Sequence, residues 1–344
     1  MMDAAPSTPF VFPDSLNAIS PPEKRGCRRD YVRLMTIDQQ KGTISHNRFN
    51  HLDTYLNKGD LLVLNTSRTI PAVLFANVMR MGKIVKKAIE VRLARHKGAQ
   101  IWEALVLTSN IKQDDLFIFN STLKARVTKT SMDSPLSELI FLGEEKEFYK
   151  QLYKVGEPIR YEYIKEPWNL DCYQTVFATV PGSVEMPSAG RPFSWELLFK
   201  LKEKGIRLAF LQLHTGLSYM FDEHGPHRPE DHPEPYHIPL ETLQLIAETK
   251  ASSGRVIAVG TTVVRALETE RQTNEREGWT NLYIHRKYPL QVTDGILTGF
   301  HEPEASHLHL LSAFISEEYL MRAYTEAIKE EYLWHEFGDM NLII

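Results

Sequence analysis

Between residues 72 and 142 the chain changes character, and that change constrains the fold more than any other feature. The segments "AVLFANVMR", "KAIEVRLAR", "IWEALVL", "LFIF", "KARVTK" and "LSELIFL" are short, β-prone and separated by turns, and several alternate apolar with polar positions. Closely spaced strands of this kind predict a small barrel or sandwich. A helix is expected over 145–154. After about residue 165 the pattern becomes strand, loop, helix. "ELLFKLKEKG" reads as an amphipathic helix stopped by Gly205 and "RLAFLQLH" as a strand. "LETLQLIAETKASSG" reads as a helix, "RVIAVG" as a strand and "TTVVRALETE" as a helix. That alternation predicts an α/β domain with a largely parallel sheet. Upstream, "YVRLMTI" (31–37) is a strand candidate, and "LDTYLNKGDLLVLN" (52–65) reads as a helix, a turn and a buried strand. Residues 1–30, rich in Pro, Ser and charge, read as an arm laid on the surface. The expected organisation is an α/β main domain built from 1–71 and 145–344, with the small β region 72–144 inserted.

Composition narrows the function classes. The 344 residues suffice for two domains. A formal net charge of −4 argues against broad nucleic-acid binding while leaving room for a local basic patch. Cys27 and Cys172 lack CxxC partners, so neither a zinc knuckle nor a disulfide framework is expected, and a reduced cytoplasm is the simplest compartment. Neither a signal peptide nor a run of 18 apolar residues is found, so no membrane segment is expected. P-loop, GxGxxG and GxSxG patterns do not occur.

Candidate chemistry gathers where strands end. In "RVIAVGTTVVRALETE" (255–270) an apolar strand stops at Gly260, and Thr261 or Thr262 can cap the following helix. Free N–H groups at such a helix start suit a carboxylate or phosphate. Arg265 and Glu268 lie three apart, as an ion pair on one helical face would. "FLQLHTG" puts His214 at another strand end beside Gly216. "TGFHEPEASHLHLLSAF" offers His301, Glu302 and Glu304 before an apolar helix. "MPSAGRPFSWELL" (186–198) reads as a loop entering a helix, with Gly190 in the tight turn, Ser194 as N-cap and Glu196 in the first turn. The stretch 222–237 carries His224, His227, His232 and His237 among prolines and carboxylates at irregular spacing. It reads as an exposed or lid-like loop rather than a metal site.

Taken together these segments resemble the S-adenosylmethionine:tRNA ribosyltransferase-isomerase family of queuosine biosynthesis, in motif order over nearly the whole chain. "GDLLVLNTSRTIPA" (59–72) is similar to G-D-L-L-V-x-N-D-T-R-V-I-P-A, and "YQTVFA" (173–178) to Y-Q-T-V-Y-A. "GSVEMPSAGRPF" (182–193) resembles G-S-V-A-A-P-T-A-G-L-H-F, and "LHTG" (213–216) resembles L-H-V-G. "HPEPYHI" keeps the H-x-E element in His232 and Glu234. "RVIAVGTTVVRALE" (255–268) matches R-V-I-A-V-G-T-T-S-V-R-T-L-E almost throughout. "GFHEPEAS" and "FGDMNLI" are similar to N-F-H-L-P-K-S and Y-G-D-A-M-L-I.

The resemblance implies a barrel-like α/β domain with an inserted small β-barrel. It also implies transfer of the ribosyl group of S-adenosylmethionine, as co-substrate, to 7-aminomethyl-7-deazaguanine at the wobble position of tRNA. The ribose rearranges to an epoxycyclopentanediol, and adenine and methionine leave; no metal is expected. Such chemistry calls for a base beside the sulfonium-bearing carbon and an acid for adenine. The residues it points to are His214 and His301 for proton transfer and Glu234, Glu268 or Asp339 for the cation. Thr261, Thr262 and Arg265 are the expected anchor for the methionine carboxylate. Further substrate contacts are expected at Arg68, Ser188, Ala189, Gly190, Arg191, Gly216 and Gly260. Within these motifs Thr66-Ser67 stands for Asp-Thr, Arg191-Pro192 for Leu-His, and Glu302 and Glu304 for Leu and Lys. Those changes leave two other readings: a nucleoside- or S-adenosylmethionine-dependent enzyme with a small-molecule acceptor, and a non-catalytic RNA- or nucleoside-binding paralogue.

Overall fold

The computed structural model describes residues 10–130, 134–217, 232–302 and 306–344. After short 3-10 turns in the N-terminal arm come β1 (Arg33–Ile37) and β2 (Ile44–Arg48), then β3 (Leu61–Asn65) and β4 (Ser67–Thr69). The helical turn before β3 is a 3-10 segment, Phe49–Tyr55, rather than an α-helix. β5 (Val73–Arg80), β6 (Lys83–Gly98), β7 (Ile101–Val106), β8 (Leu116–Ile118), β9 (Lys124–Thr130) and β10 (Leu136–Phe141) follow. They close into a six-stranded barrel in the order β10-β7-β6-β5-β8-β9. Alternation fills it: Leu74, Ala76 and Val78 of β5, Val91 and Leu93 of β6, and Trp102 and Ala104 of β7 are all buried. Register shifts after Leu93 and His96 bend the long strand β6. α1 (Glu145–Val155) packs Phe148 and Leu152 into the barrel's core.

The rest of the chain adds β11 (Val180–Ser183), α2 (Trp195–Glu203), β12 (Arg207–Leu213), β13 (Glu234–His237) and α3 (Leu240–Ala251). It continues with β14 (Val256–Val259), α4 (Thr261–Thr273), β15 (Glu277–Thr280), β16 (Gly295–Gly299), α5 (Ser306–Leu311), α6 (Glu317–Lys329) and β17 (Met340–Ile343). Among the described residues nine strands form one sheet, β15-β13-β12-β3-β14-β16-β17-β1-β2. Its centre, β12-β3-β14-β16, is parallel as expected, whereas β13, β15, β17 and β2 add antiparallel pairs, so the sheet is mixed. Every residue of β3 is buried because both faces of the sheet are covered. Leu61 and Val63 pack under α4 and α6, and Leu62 and Leu64 under α2 and the Phe49–Tyr55 turn.

The registers give the sheet one chemically rich rim. The C-terminal ends of β12, β3, β14 and β16 lie together, and β17 runs antiparallel to β16 and parallel to β1. The starts of β17 and β1 therefore share that rim. β4 and β11 pair with each other just beyond β3. No helix among the described residues is long and apolar enough to cross a membrane.

Candidate active site

Asn65, the last residue of β3, fixes the local geometry. Its Nδ2 donates to the Leu213 carbonyl (2.8 Å), and its Oδ1 accepts from the N–H groups of Leu213 (3.1 Å) and Ser67 (3.0 Å). One amide thus ties the end of β12 to the start of β4 and places Ser67 beside His214. Ser67 Oγ lies 2.6 Å from His214 Nδ1 and 2.6 Å from Ser183 Oγ, and the Thr215 N–H donates to Ser183 Oγ (3.1 Å). Gly182 leaves room for the imidazole, since a Cβ there would stand 2.7 Å from the ring. Burial, with His96 adding to it, pushes the His214 pKa down to about 4, so the ring is neutral at physiological pH.

His214 lines a cavity of about 60 Å³ at the junction of barrel and sheet, together with His96, Tyr149, Thr215, Gly216 and Glu234. The bent strand β6 brings His96 there. Glu234 accepts from the Gly216 N–H (3.2 Å) and pairs with Arg265, which also donates to the carbonyls of Leu282 (3.2 Å) and Thr280 (3.3 Å). The structure thus brings together His214, Gly216, Glu234 and Arg265.

A second group forms around the start of α4. The helix begins at Gly260, φ +97°, with no side-chain cap, so neither Thr261 nor Thr262 caps it as expected. The first amides of the helix remain uncapped because the strand enters through a conformation that suits glycine. Ser188, Ala189 and Gly190 form a 3-10 turn against this point: a Cβ on Gly260 would lie 3.3 Å from that of Ala189. Ser194 does cap α2, accepting from the Leu197 N–H (3.1 Å).

Several expected site residues are spent elsewhere. Arg191 is buried; it donates to the Cys172 carbonyl (2.8 Å) and Glu23 (2.8 Å) and lies over the Phe337 ring. It ties the N-terminal arm down rather than offering a charge to a ligand. Glu268 is wholly buried. Its carboxylate accepts from the N–H groups of Gln291 (3.0 Å), Val292 (3.0 Å) and Thr293 (3.1 Å) and from the Thr293 hydroxyl (3.1 Å). It faces inward, so the ion pair of Arg265 forms with Glu234 instead. Asp339 accepts from the N–H groups of Arg33 (2.6 Å) and Leu333 (2.8 Å), stapling the rim. Arg68 sits beside the Tyr153 hydroxyl of α1. Of the His-rich stretch, His224 and His227 lie outside the described residues, as does Glu304. Glu234–His237, expected in a loop, is strand β13.

Further along the rim, His301 Nε2 contacts Thr298 Oγ1 (2.8 Å), and its ring stacks on His307 at 4.5 Å; burial holds its pKa well below the usual value. Here lies a group that the sequence reading missed. Tyr163 donates to Glu336, whose pKa burial raises to about 7. His335, held down to about 4 by burial, stacks on Tyr163 (4.5 Å). Tyr161 donates to Glu185 (2.8 Å), and the Glu185 carbonyl accepts from the Thr215 hydroxyl (2.7 Å), linking this group to the His214 cavity. The one available signal was Glu336 beside the "FGDMNLI" segment. Among the described residues no group of three or more His, Cys, Asp or Glu is placed to hold a metal ion.

A family model described as "Queuosine biosynthesis protein" matches residues 7–343. The chain belongs to that family. It is 36% identical, over 92% of its own length and 94% of the relative's, to the S-adenosylmethionine:tRNA ribosyltransferase-isomerase of Sulfurihydrogenibium sp. (strain YO3AOP1). The crystal structure of S-adenosylmethionine tRNA ribosyltransferase from Thermotoga maritima matches with a TM-score of 0.55 and 29% identity, covering 98% of this chain and 99% of that one. The queuosine family's α/β fold with a closed six-stranded barrel is the fold that the sequence resemblance implied.

Proposed function

We propose that this chain is an S-adenosylmethionine:tRNA ribosyltransferase-isomerase. It transfers and isomerises the ribosyl group of S-adenosylmethionine onto 7-aminomethyl-7-deazaguanine at the tRNA wobble position. Epoxyqueuosine forms, and adenine and methionine are released. The observation that carries this reading is a neutral imidazole, His214, fixed at the strand-end rim in a cavity that also holds the Glu234 carboxylate. The close relative bearing that activity covers the same span. The intact hydroxyl chain behind His214 speaks against a non-catalytic paralogue.

In this reading His214 and His301 serve the proton-handling steps, since both are neutral and therefore able to donate or accept. Glu234 faces the sulfonium charge, with Arg265 and Gly216 holding it in place. The uncapped start of α4, with Ser188–Gly190 against it, receives the methionine carboxylate. Glu268, Asp339 and Arg191 hold the rim together and take no part in bond making. Residues 1–71 and 145–344 form the catalytic body, 72–144 the insertion, and the enzyme works in the cytoplasm on tRNA.

The test is incubation with S-adenosylmethionine and tRNA bearing the aminomethyl-deazaguanine base. Nucleoside analysis is expected to find epoxyqueuosine, with adenine and methionine in the small-molecule fraction. Binding of S-adenosylmethionine with neither product would refute the assignment.

A further inference from the structure

The chain of hydroxyls behind His214 decides which ring nitrogen carries the proton. Ser67 and Ser183 have no solvent exposure, so each hydroxyl hydrogen needs an acceptor inside the protein. The Thr215 N–H can only donate, and it donates to Ser183 Oγ. Two orientations remain for the other contacts. In the first, Ser183 donates to Ser67 and Ser67 donates to His214 Nδ1, and every hydrogen has a partner. In the second, Nδ1–H donates to Ser67 and Ser67 donates to Ser183. Ser183 then accepts twice, and among the described residues its own hydrogen has no acceptor. A buried O–H left unmatched costs roughly 1–3 kcal/mol, which disfavours the second orientation by about 5- to 150-fold at equilibrium.

We infer that Ser67 and Ser183 are positioning residues that hold His214 as the Nε2–H tautomer, so that the imidazole offers its cavity a hydrogen-bond donor rather than a lone pair. The inference rests on the placement of His214 in the ribosyltransferase-isomerase site and revises its role there from proton carrier to hydrogen-bond donor. A ring locked in this way cannot take the proton from the carbon beside the sulfonium unless both hydroxyls first reverse. It acts instead as a neutral electrophile. Its Nε2–H hydrogen-bonds to negative charge developing on the departing adenine or on a ring oxygen, and the proton stays on the imidazole throughout. Abstraction of the carbon-bound proton falls to another group of the rim.

The surroundings agree with a neutral donor. The titratable groups that line the same cavity are Arg95 and His96 from β6, Tyr149 from α1 and Glu234 from β13. Arg95 is paired with Glu103 (2.6 Å) and Glu234 with Arg265, which leaves Ser67 as the hydrogen-bond partner of the ring among the described residues. Protonating Nδ1 would turn Ser67 from donor to acceptor and strand the Ser183 hydrogen. This reinforces the depression that burial already causes.

The test is a long-range proton–nitrogen correlation spectrum of the full-length enzyme labelled with 15N-histidine, at neutral pH and without substrate. His214 is assigned by the signals lost in His214→Gln. The expected result is a protonated Nε2 and an unprotonated, hydrogen-bond-accepting Nδ1. Ser67→Ala is expected to give a mixed tautomer and to lower kcat for adenine release about tenfold or more, leaving KM for S-adenosylmethionine unchanged, whereas Ser183→Ala leaves the Ser67 hydrogen no acceptor but Nδ1 and should keep the Nε2–H form. Ser67→Thr, which restores the hydroxyl, should recover the wild-type pattern. A protonated Nδ1, or a doubly protonated ring, in the wild type overturns the inference. The spectrum requires no turnover, so an Nε2–H ring in a protein that makes no epoxyqueuosine would condemn the proposed activity and leave the tautomer standing.

Discussion

The barrel and the strand-end rim treat polar side chains in opposite ways. In the barrel three guanidiniums face carboxylates: Arg80 with Asp115 (2.6 Å), Arg92 with Glu90 (2.6 Å) and Arg95 with Glu103 (2.6 Å). On the rim His214, His301 and His335 are held neutral by burial, and Glu336 is pushed up to about 7. Matched charges leave a fold nothing to do but stand, whereas titratable groups driven from their ordinary range in a cleft mark where chemistry can happen. The glycines divide the same way. Gly82 and Gly98 in the barrel serve turns, and a Cβ there would meet nothing within 4 Å. Gly182 exists for close approach, because the His214 ring occupies the space of its side chain.

Glu268 offers the hardest test of that division, because the sequence places it with the chemistry and the structure with the framework. Glu268→Ala strands three backbone N–H groups and is expected to cost about 3–5 kcal/mol of stability. Urea unfolding measures this, while KM for S-adenosylmethionine should stay unchanged in protein that remains folded. A normal midpoint with lost turnover would return Glu268 to the reaction.

Gly182→Ala should lower turnover by on the order of a hundredfold, since an imidazole displaced by about an ångström loses its alignment. Its thermal midpoint should fall as well, because a Cβ meets both the positive φ and the His214 ring, so the contrast is read in turnover. Gly98→Ala is the barrel counterpart. It costs about 1–3 kcal/mol from its positive φ and leaves turnover intact, and equal kinetic losses from both would erase the contrast.

A smaller effect concerns pH. The folded-state pKa of Glu336, about 7, lies above its ordinary 4.5, so the folded protein binds the extra proton between those values. Its contribution to stability is therefore complete below pH 4.5 and lost as pH rises towards 7. His214 and His335, depressed to about 4 from 6.5, act in the opposite sense over pH 4 to 6.5. The difference in unfolding free energy between wild type and Glu336→Gln isolates the carboxyl. It should shift against the wild type across pH 4.5–7, and a flat difference would remove Glu336 from the set of perturbed groups.

What could be read from the sequence was local. Alternation announced the barrel strands, Ser194 announced its cap, and the strand ends announced His214 and Gly260. What could not be read depends on pairing between distant segments. Ser67 meets His214 only because β4 pairs with β11 and Asn65 clamps β12, contacts spanning more than a hundred residues. Arg265 and Glu268 are neighbours on a helix, and periodicity alone does not say that one turns to Glu234 while the other turns into the core. An arginine after an Ala-Gly turn looks the same in sequence whether a ligand or Glu23 neutralises it.

The most direct measurement compares wild type with His214→Ala in a single-turnover reaction with S-adenosylmethionine and the modified tRNA, following epoxyqueuosine and adenine together, with the thermal midpoint recorded for both proteins. The proposed role of His214 predicts stoichiometric release in the wild type and a loss of at least about a hundredfold in the variant, which stays folded with a midpoint lowered by the Ser67 hydroxyl's lost acceptor. Full turnover in a correctly folded His214→Ala protein would contradict it.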